Sequence, residues 1–260
     1  MNTKLISEQA LTVIDSYAHF RIGESASCSV PYFNNSRKGV RAGLRATIGK
    51  GSPRDIFDEV EIELAKNGVA GTIRNGAFVP GELSDDSLKH FLVDHNIGID
   101  CSGFAYYVLS AESMARGKKS LDRRLHFPFS KGILGKIRSK MRPAENASVA
   151  TFAHDTNSRI VLLKDVLPGD IITLLDAQDK IRDHILVIHH VEFQNFIPTV
   201  IYYSHSMAWP SDGQYGHGVR QGKITIVNAE KTILDQDWSE TYTFARAQKS
   251  LTEIRRLRWL

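Results

Sequence analysis

Cys101 lies in Asp100-Cys101-Ser102-Gly103-Phe104, where a polar stretch gives way to a helix-forming one. At a helix N-terminus the unpaired amides and the positive end of the dipole favour thiolate over thiol, which makes a cysteine a better nucleophile near neutral pH. Backbone amides in the same turn can donate to an oxyanion, and Gly103 permits close approach. A thiolate nucleophile needs a base that takes its proton and later returns it to a leaving amine, a task that suits imidazole. His184 leads the apolar run from Ile185 to Ile188, and a further polar group must orient its ring. His205, in Tyr202-Tyr203-Ser204-His205-Ser206, stands on the next candidate strand. Singly, these residues have plainer accounts: a small buried thiol that starts a helix, with Asp100 or Ser102 as its cap.

His189 and His190 raise the question of a metal shared with His184. Alternation along a strand puts His184 and His190 on one face about 20 Å apart and turns His189 away, so one ion cannot bind all three. The remaining histidines are scattered without ligand spacing, and the expectation is no metal and no other cofactor.

The elements that must position these residues follow from capping and periodicity. Ser7 opens a helix to about Arg21 with Leu11, Ile14 and Ala18 on one face. Ser52-Pro53 opens a second, striped by Ile56, Val60 and Leu64 and ended by Gly68. Ser84 opens a short third, and a fourth runs from Ser102 to Gly117. After Asp155 the character changes: 160–163, 170–175, 184–191 and 199–203 read as strands, with 223–227 and 255–260 as weaker candidates. Helices first and a strand meander second predict an α+β fold, N-terminal helices packed on a central antiparallel sheet.

The chain has 260 residues, 42% hydrophobic and 24% charged, with a mean hydropathy of −0.23, the profile of a soluble globular protein. Collagen-like, disordered and disulfide-scaffold classes are excluded. Cys28 and Cys101 allow one bridge at most, and both are expected to be free thiols. No apolar run approaches the roughly 20 residues that a membrane helix requires. The first 20 residues lack the uninterrupted apolar stretch of a secretory signal, so the expectation is a cytoplasmic protein or one exported by a dedicated route. Net charge is +4, yet residues 118–142 carry nine Lys and Arg against Asp122 alone. Such a segment can hold an anionic polymer or lipid, or simply solvate a loop.

The Asp100–Phe104 motif, Pro168-Gly169-Asp170 before a strand, His184 leading an apolar strand and a polar residue one strand later together resemble the NlpC/P60 family of papain-like cysteine peptidases. Their order matches the unpermuted form. The resemblance implies a single papain-like domain over 1–260, with a helical elaboration around 39–97 and a basic insertion around 118–158. It implies Cys101 as nucleophile, His184 as base and His205 as orienting residue. It also implies Asp100 and Ser102 at the amino end of a short wall peptide, and Tyr32, after Pro31, lining the pocket from 69 positions upstream. The substrate it suggests is a peptidoglycan stem peptide cut between D-γ-glutamyl and a diamino acid. Acyl transfer or amide hydrolysis on a lipid or protein is the alternative enzyme reading. A non-catalytic binding module using the basic segment is the alternative of another class.

Overall fold

The computed structural model describes residues 2–23, 26–34, 44–69, 71–74, 77–81, 83–176 and 182–260. Among them the helices are α1 (Glu8–Ala18), α2 (Pro53–Lys66), α3 (Asp85–Asp94), α4 (Cys101–Ala115), α5 (Gly132–Met141), α6 (Pro143–Asn146), α7 (Val149–Ala153) and α8 (Thr241–Gln248). The strands are β1 (Asn2–Leu5), β2 (Phe20–Ile22), β3 (Ala26–Cys28), β4 (Gly71–Arg74), β5 (Ala77–Pro80) and β6 (Ser158–Ile160). They continue as β7 (Ile171–Leu175), β8 (His184–Gln194), β9 (Ile197–Met207), β10 (Gly218–Thr225), β11 (Asp237–Trp238) and β12 (Leu251–Leu257). The chain is α+β with an antiparallel sheet, as expected.

Internal packing divides it into two compact units. The first comprises Met1–Leu11, Ala105–His205 and Gln221–Leu260; the second comprises Thr12–Phe104 and Ser206–Arg220.

The first unit is organised on the large sheet, in the order β11-β10-β9-β8-β7-β12-β6, with β1 also paired to β8. Ile172, Leu174, Leu186, Ile188, Ile201, Tyr203 and Ile254 bury one face of it. Each such aliphatic side chain contributes about 1.5–3 kcal/mol when fully buried. The Pro168-Gly169-Asp170 turn that feeds β7 is held at three points. Gly169 N–H donates to Ile188 O (2.8 Å), Ile188 N–H donates to Asp170 O (2.9 Å), and Arg256 clamps the Asp170 carboxylate at 2.6 and 2.8 Å.

Strand β8 is not regular. Ile188 pairs with Tyr203 but His190 pairs with Tyr202, so His189 is an extra residue on β8. A bulge of this kind reverses the alternation beyond it. Leu186 and Ile188 face the core before the bulge, Val191 and Phe193 after it. The expectation that His184 and His190 share a face is therefore overturned.

In the second unit, Ser52 builds a full capping box with Asp55 at the start of α2, and the Ser84 side chain accepts from Ser87 N–H at the start of α3. Helix α1 stops at Ala18, before the expected Arg21, because Phe20–Ile22 pairs as β2 with β3. Its buried residues are Ala10, Ile14 and Tyr17, with Leu11 and Ala18 flanking them.

The 39–97 elaboration contains α2 and α3 but also the β4–β5 hairpin; residues 39–43, 70, 75–76 and 82 of it lie outside the described residues. The 118–158 segment folds into α5, α6 and α7. The strand expected over 160–163 ends as β6 at Ile160, followed by one bond from Val161 N–H to Ile254 O and a 3-10 turn. The last strand starts four residues earlier than expected and ends three earlier, at Leu251–Leu257. Part of the polar connection before His184, residues 177–181, lies outside the described residues.

Candidate active site

Cys101 is the first residue of α4, with Asp100 as the cap. Gly103 N–H donates to Asp100 Oδ1 at 2.6 Å, and Phe104 N–H donates to Asp100 O at 2.9 Å. Capping by a carboxylate satisfies a free amide and complements the helix dipole. The same oxygen accepts from Ser102 Oγ (3.0 Å) and from Lys50 Nζ (2.9 Å), and Lys50 also reaches Ser102 Oγ (2.5 Å). All three side chains are buried. A buried ammonium thus already engages both residues that the family resemblance assigns to a substrate amine.

Three segments far apart in sequence meet beneath this turn. Tyr32 bridges Ile99 in parallel, Lys50 bridges Ile99 antiparallel, and Asp100 N–H donates to Gly49 O at 2.9 Å. The 69-position separation of Tyr32 and Cys101 is therefore closed by strand-like pairing. Tyr32 N–H itself donates to His217 Nδ1 at 3.1 Å. Gly103 is required by this packing, since a Cβ there would stand 2.8 Å from Gly49 O and 2.8 Å from Ile99 Cδ1. What approaches Gly103 closely is the protein's own backbone.

His184 and His205 belong to the first unit. Val187 is opposite Ser204, so His184 lies diagonal to His205 on the same face of the sheet, within reach for large side chains. Their rings meet, with His184 Nε2 2.7 Å from His205 Nδ1. His205 Nε2 in turn lies 2.9 Å from Glu240 Oε2. That oxygen also accepts from Tyr203 Oη at 2.8 Å and Thr243 Oγ1 at 3.0 Å. His184 and His205 are thus brought together, and a carboxylate extends the chain by one link.

The protonation pattern follows from the carboxylate. Burial works against ionisation of Glu240, but the bonds from His205, Tyr203 and Thr243 outweigh it and hold its pKa below the usual value. Burial beside Glu240 raises the Tyr203 phenol, which stays protonated and donates. An ionised carboxylate only accepts, so His205 Nε2 carries a hydrogen. In neutral His205 the Nδ1 is then an acceptor, and His184 Nε2 must donate to it. Burial, with Arg246 and His205 adding to it, lowers His184 well below the usual imidazole range. Its remaining nitrogen, Nδ1, is left with the lone pair of a base.

Sequence reasoning missed Glu240 and Lys50. Glu240 occupies the N-cap position of α8, where the dipole favours its charge, 35 residues beyond His205. The only sequence signal was an acid before a helix, one of 29 acidic residues. Lys50 had no signal beyond its place next to Gly49-Gly51.

His189 is bonded to Ser204 Oγ at 3.0 Å, and burial brings it down to about 4. His190 stacks on Tyr202 at 4.5 Å. Among the described residues, no group of three or more His, Cys, Asp and Glu side chains is arranged to hold a metal ion. Among them too, no helix is long and apolar enough to cross a membrane. Cys28 is a free thiol that burial pushes up to about 11 against the opposing charge of Lys89. No family model fits the chain, and no curated protein is similar to it in sequence.

Proposed function

We propose that the protein is a cysteine-dependent amide hydrolase of papain-like NlpC/P60 fold, with a peptidoglycan stem peptide as substrate and the D-γ-glutamyl–diamino acid amide as the bond cut. The observation that carries this reading is the His184–His205–Glu240 chain, which leaves a lone pair on a buried imidazole. The position of Cys101 as the first residue of α4 is its complement, because the positive end of the helix dipole favours thiolate.

In this mechanism Cys101 Sγ attacks the amide carbon while its proton passes to His184 Nδ1. The Cys101 amide donates to the oxyanion. As His184 gains that proton, its Nε2 hydrogen can pass to His205 Nδ1, placing the cation 2.9 Å from the Glu240 carboxylate instead of on the desolvated His184. The C–N bond breaks as the proton returns to the departing amine. Water then cleaves the thioester, releasing the acid and restoring the thiol. A substrate amine competes with Lys50 for Asp100 and Ser102, so this reading favours substrates whose affinity comes from other contacts.

Mass spectrometry of muropeptides after incubation with wild type and with Cys101→Ala tests it directly. New acid and amine products that the variant does not make are the expected result. An unchanged digest by folded wild type rejects the wall substrate. The same chemistry on a lipid or protein amide then requires Cys101 to alkylate faster than Cys28, and equal slow labelling rejects catalysis altogether.

A further inference from the structure

We infer that α5 docks the protein on the surface of an anionic phospholipid bilayer. A helix of a folded domain ordinarily turns its apolar stripe inward. Here the arrangement is reversed. Ile133, Leu134, Ile137 and Met141 are 79%, 83%, 50% and 73% exposed, whereas Ser139, on the opposite side, is 1% exposed. At about 100° per residue the four apolar side chains span an arc of roughly 100°. Ser139 is the buried residue of the helix and Gly135, beside it, is half-buried, so the side turned to the protein is the one opposite the apolar arc.

Charge completes the pattern. Lys136 and Lys140 flank the apolar arc on one side and Arg138 on the other, Lys131 and Arg142 stand at the ends, and the helix contains no acid. A dissolved polyanion would use the cations and leave four large hydrophobic side chains in water. A bilayer with anionic headgroups takes both, the apolar arc entering the acyl boundary and the cations meeting phosphate and carboxylate. The helix has ten residues, about 15 Å, and so lies in the interface instead of spanning it. A second copy of this face is a poorer occupant, because an isologous contact would set the same cations against one another.

The test uses the full chain and two kinds of vesicle, phosphatidylcholine alone and phosphatidylcholine with a quarter phosphatidylserine, in a flotation assay. Binding at least tenfold tighter to the anionic vesicles is expected. Ile133→Ser/Ile137→Ser/Met141→Ser should weaken it at least tenfold, and each of Lys136→Ser and Lys140→Ser about fivefold. These side chains are exposed, so the variants should keep the wild-type thermal transition. Leu134→Trp gives an independent readout: its emission should shift to the blue on anionic vesicles and be quenched by lipids brominated on the acyl chain. Wild-type binding by the triple serine variant would overturn the proposal in favour of charge alone. Equal binding to both vesicles, or an unshifted tryptophan, also rejects it. So does a concentration-dependent dimer that the triple variant abolishes while no vesicle is bound. None of these residues belongs to the proposed catalytic set, so the result is independent of the hydrolase reading.

Discussion

Replacing Glu240 separates the two roles assigned to it. Glu240→Ala removes the acceptor of three buried donors, on His205, Tyr203 and Thr243. Each orphaned donor costs about 1–2 kcal/mol, so a loss of roughly 3–6 kcal/mol is expected, a large share of the stability of an ordinary domain. Glu240→Gln keeps a neutral acceptor and loses only charge assistance, about 1 kcal/mol. The glutamine amide nitrogen can also turn toward His205 and drive the hydrogen onto the wrong nitrogen two links away. Denaturant unfolding measures the first effect. Long-range proton–nitrogen NMR correlation on the imidazoles measures the second, because protonated and bare ring nitrogens differ widely in shift. In wild type at neutral pH the His184 hydrogen should sit on Nε2, and in Glu240→Gln a population with it on Nδ1 should appear. A wild-type His184 with its hydrogen on Nδ1 would falsify the tautomer argument, whatever the enzyme assay gives.

Three further expectations follow from the buried charges and thiols. With burial holding Cys28 at about 11, about one part in ten thousand is thiolate at pH 7, so iodoacetamide followed by peptide mapping should label Cys101 at least a hundredfold faster, and His184→Ala should remove most of that advantage; an unchanged Cys101 rate in His184→Ala would separate thiol from imidazole. Lys50→Met strands the Asp100 carboxylate in a buried site and should cost about 3–5 kcal/mol in denaturant unfolding, with Lys50→Met/Asp100→Asn recovering part of it; additive losses would mean the pair is not coupled. His189 is depressed to about 4 by burial, against about 6.5 unfolded, so the stability it contributes is full above pH 6.5 and falls by about 3 kcal/mol as pH drops toward 4. His189→Gln should flatten that part of the stability–pH curve, and an unchanged slope would refute the assignment.

What the sequence made legible was what depends on local chemistry. Ser52-Pro53 and Ser84 marked their helices because capping acts within three residues, and the runs at 170–175 and 184–191 marked strands because burial requires their apolar residues. The His184–His205 meeting was legible for the same reason, once two adjacent strands were recognised. Glu240 was not, because its role arises from the start of α8 being carried to the His205 ring, and nothing local distinguishes it from other acids. Lys50 was equally silent: its pairing with Asp100 depends on two bridges to Ile99. Helix α5 was obscured differently. Ile133, Ile137 and Met141 have helical spacing, but among so many cations the segment reads as a solvated charge run, and spacing alone does not reveal which way a stripe points.

The bulge at His189 has a consequence for how this hairpin tolerates changes in length. It separates the His184–His205 end of the β8–β9 pair from the end that turns at Asn195-Phe196. Adding or removing matched pairs of residues beyond it, toward the turn, would lengthen or shorten the hairpin without altering the phase of the histidines. Deleting His189 itself would remove this bulge, leave the second register shift between Glu192 and Phe193, and oblige one end of β8 to exchange its inner and outer faces. The turn end is thus the place where a peptide tag or reporter could be grafted, and His189 is a poor site for any deletion.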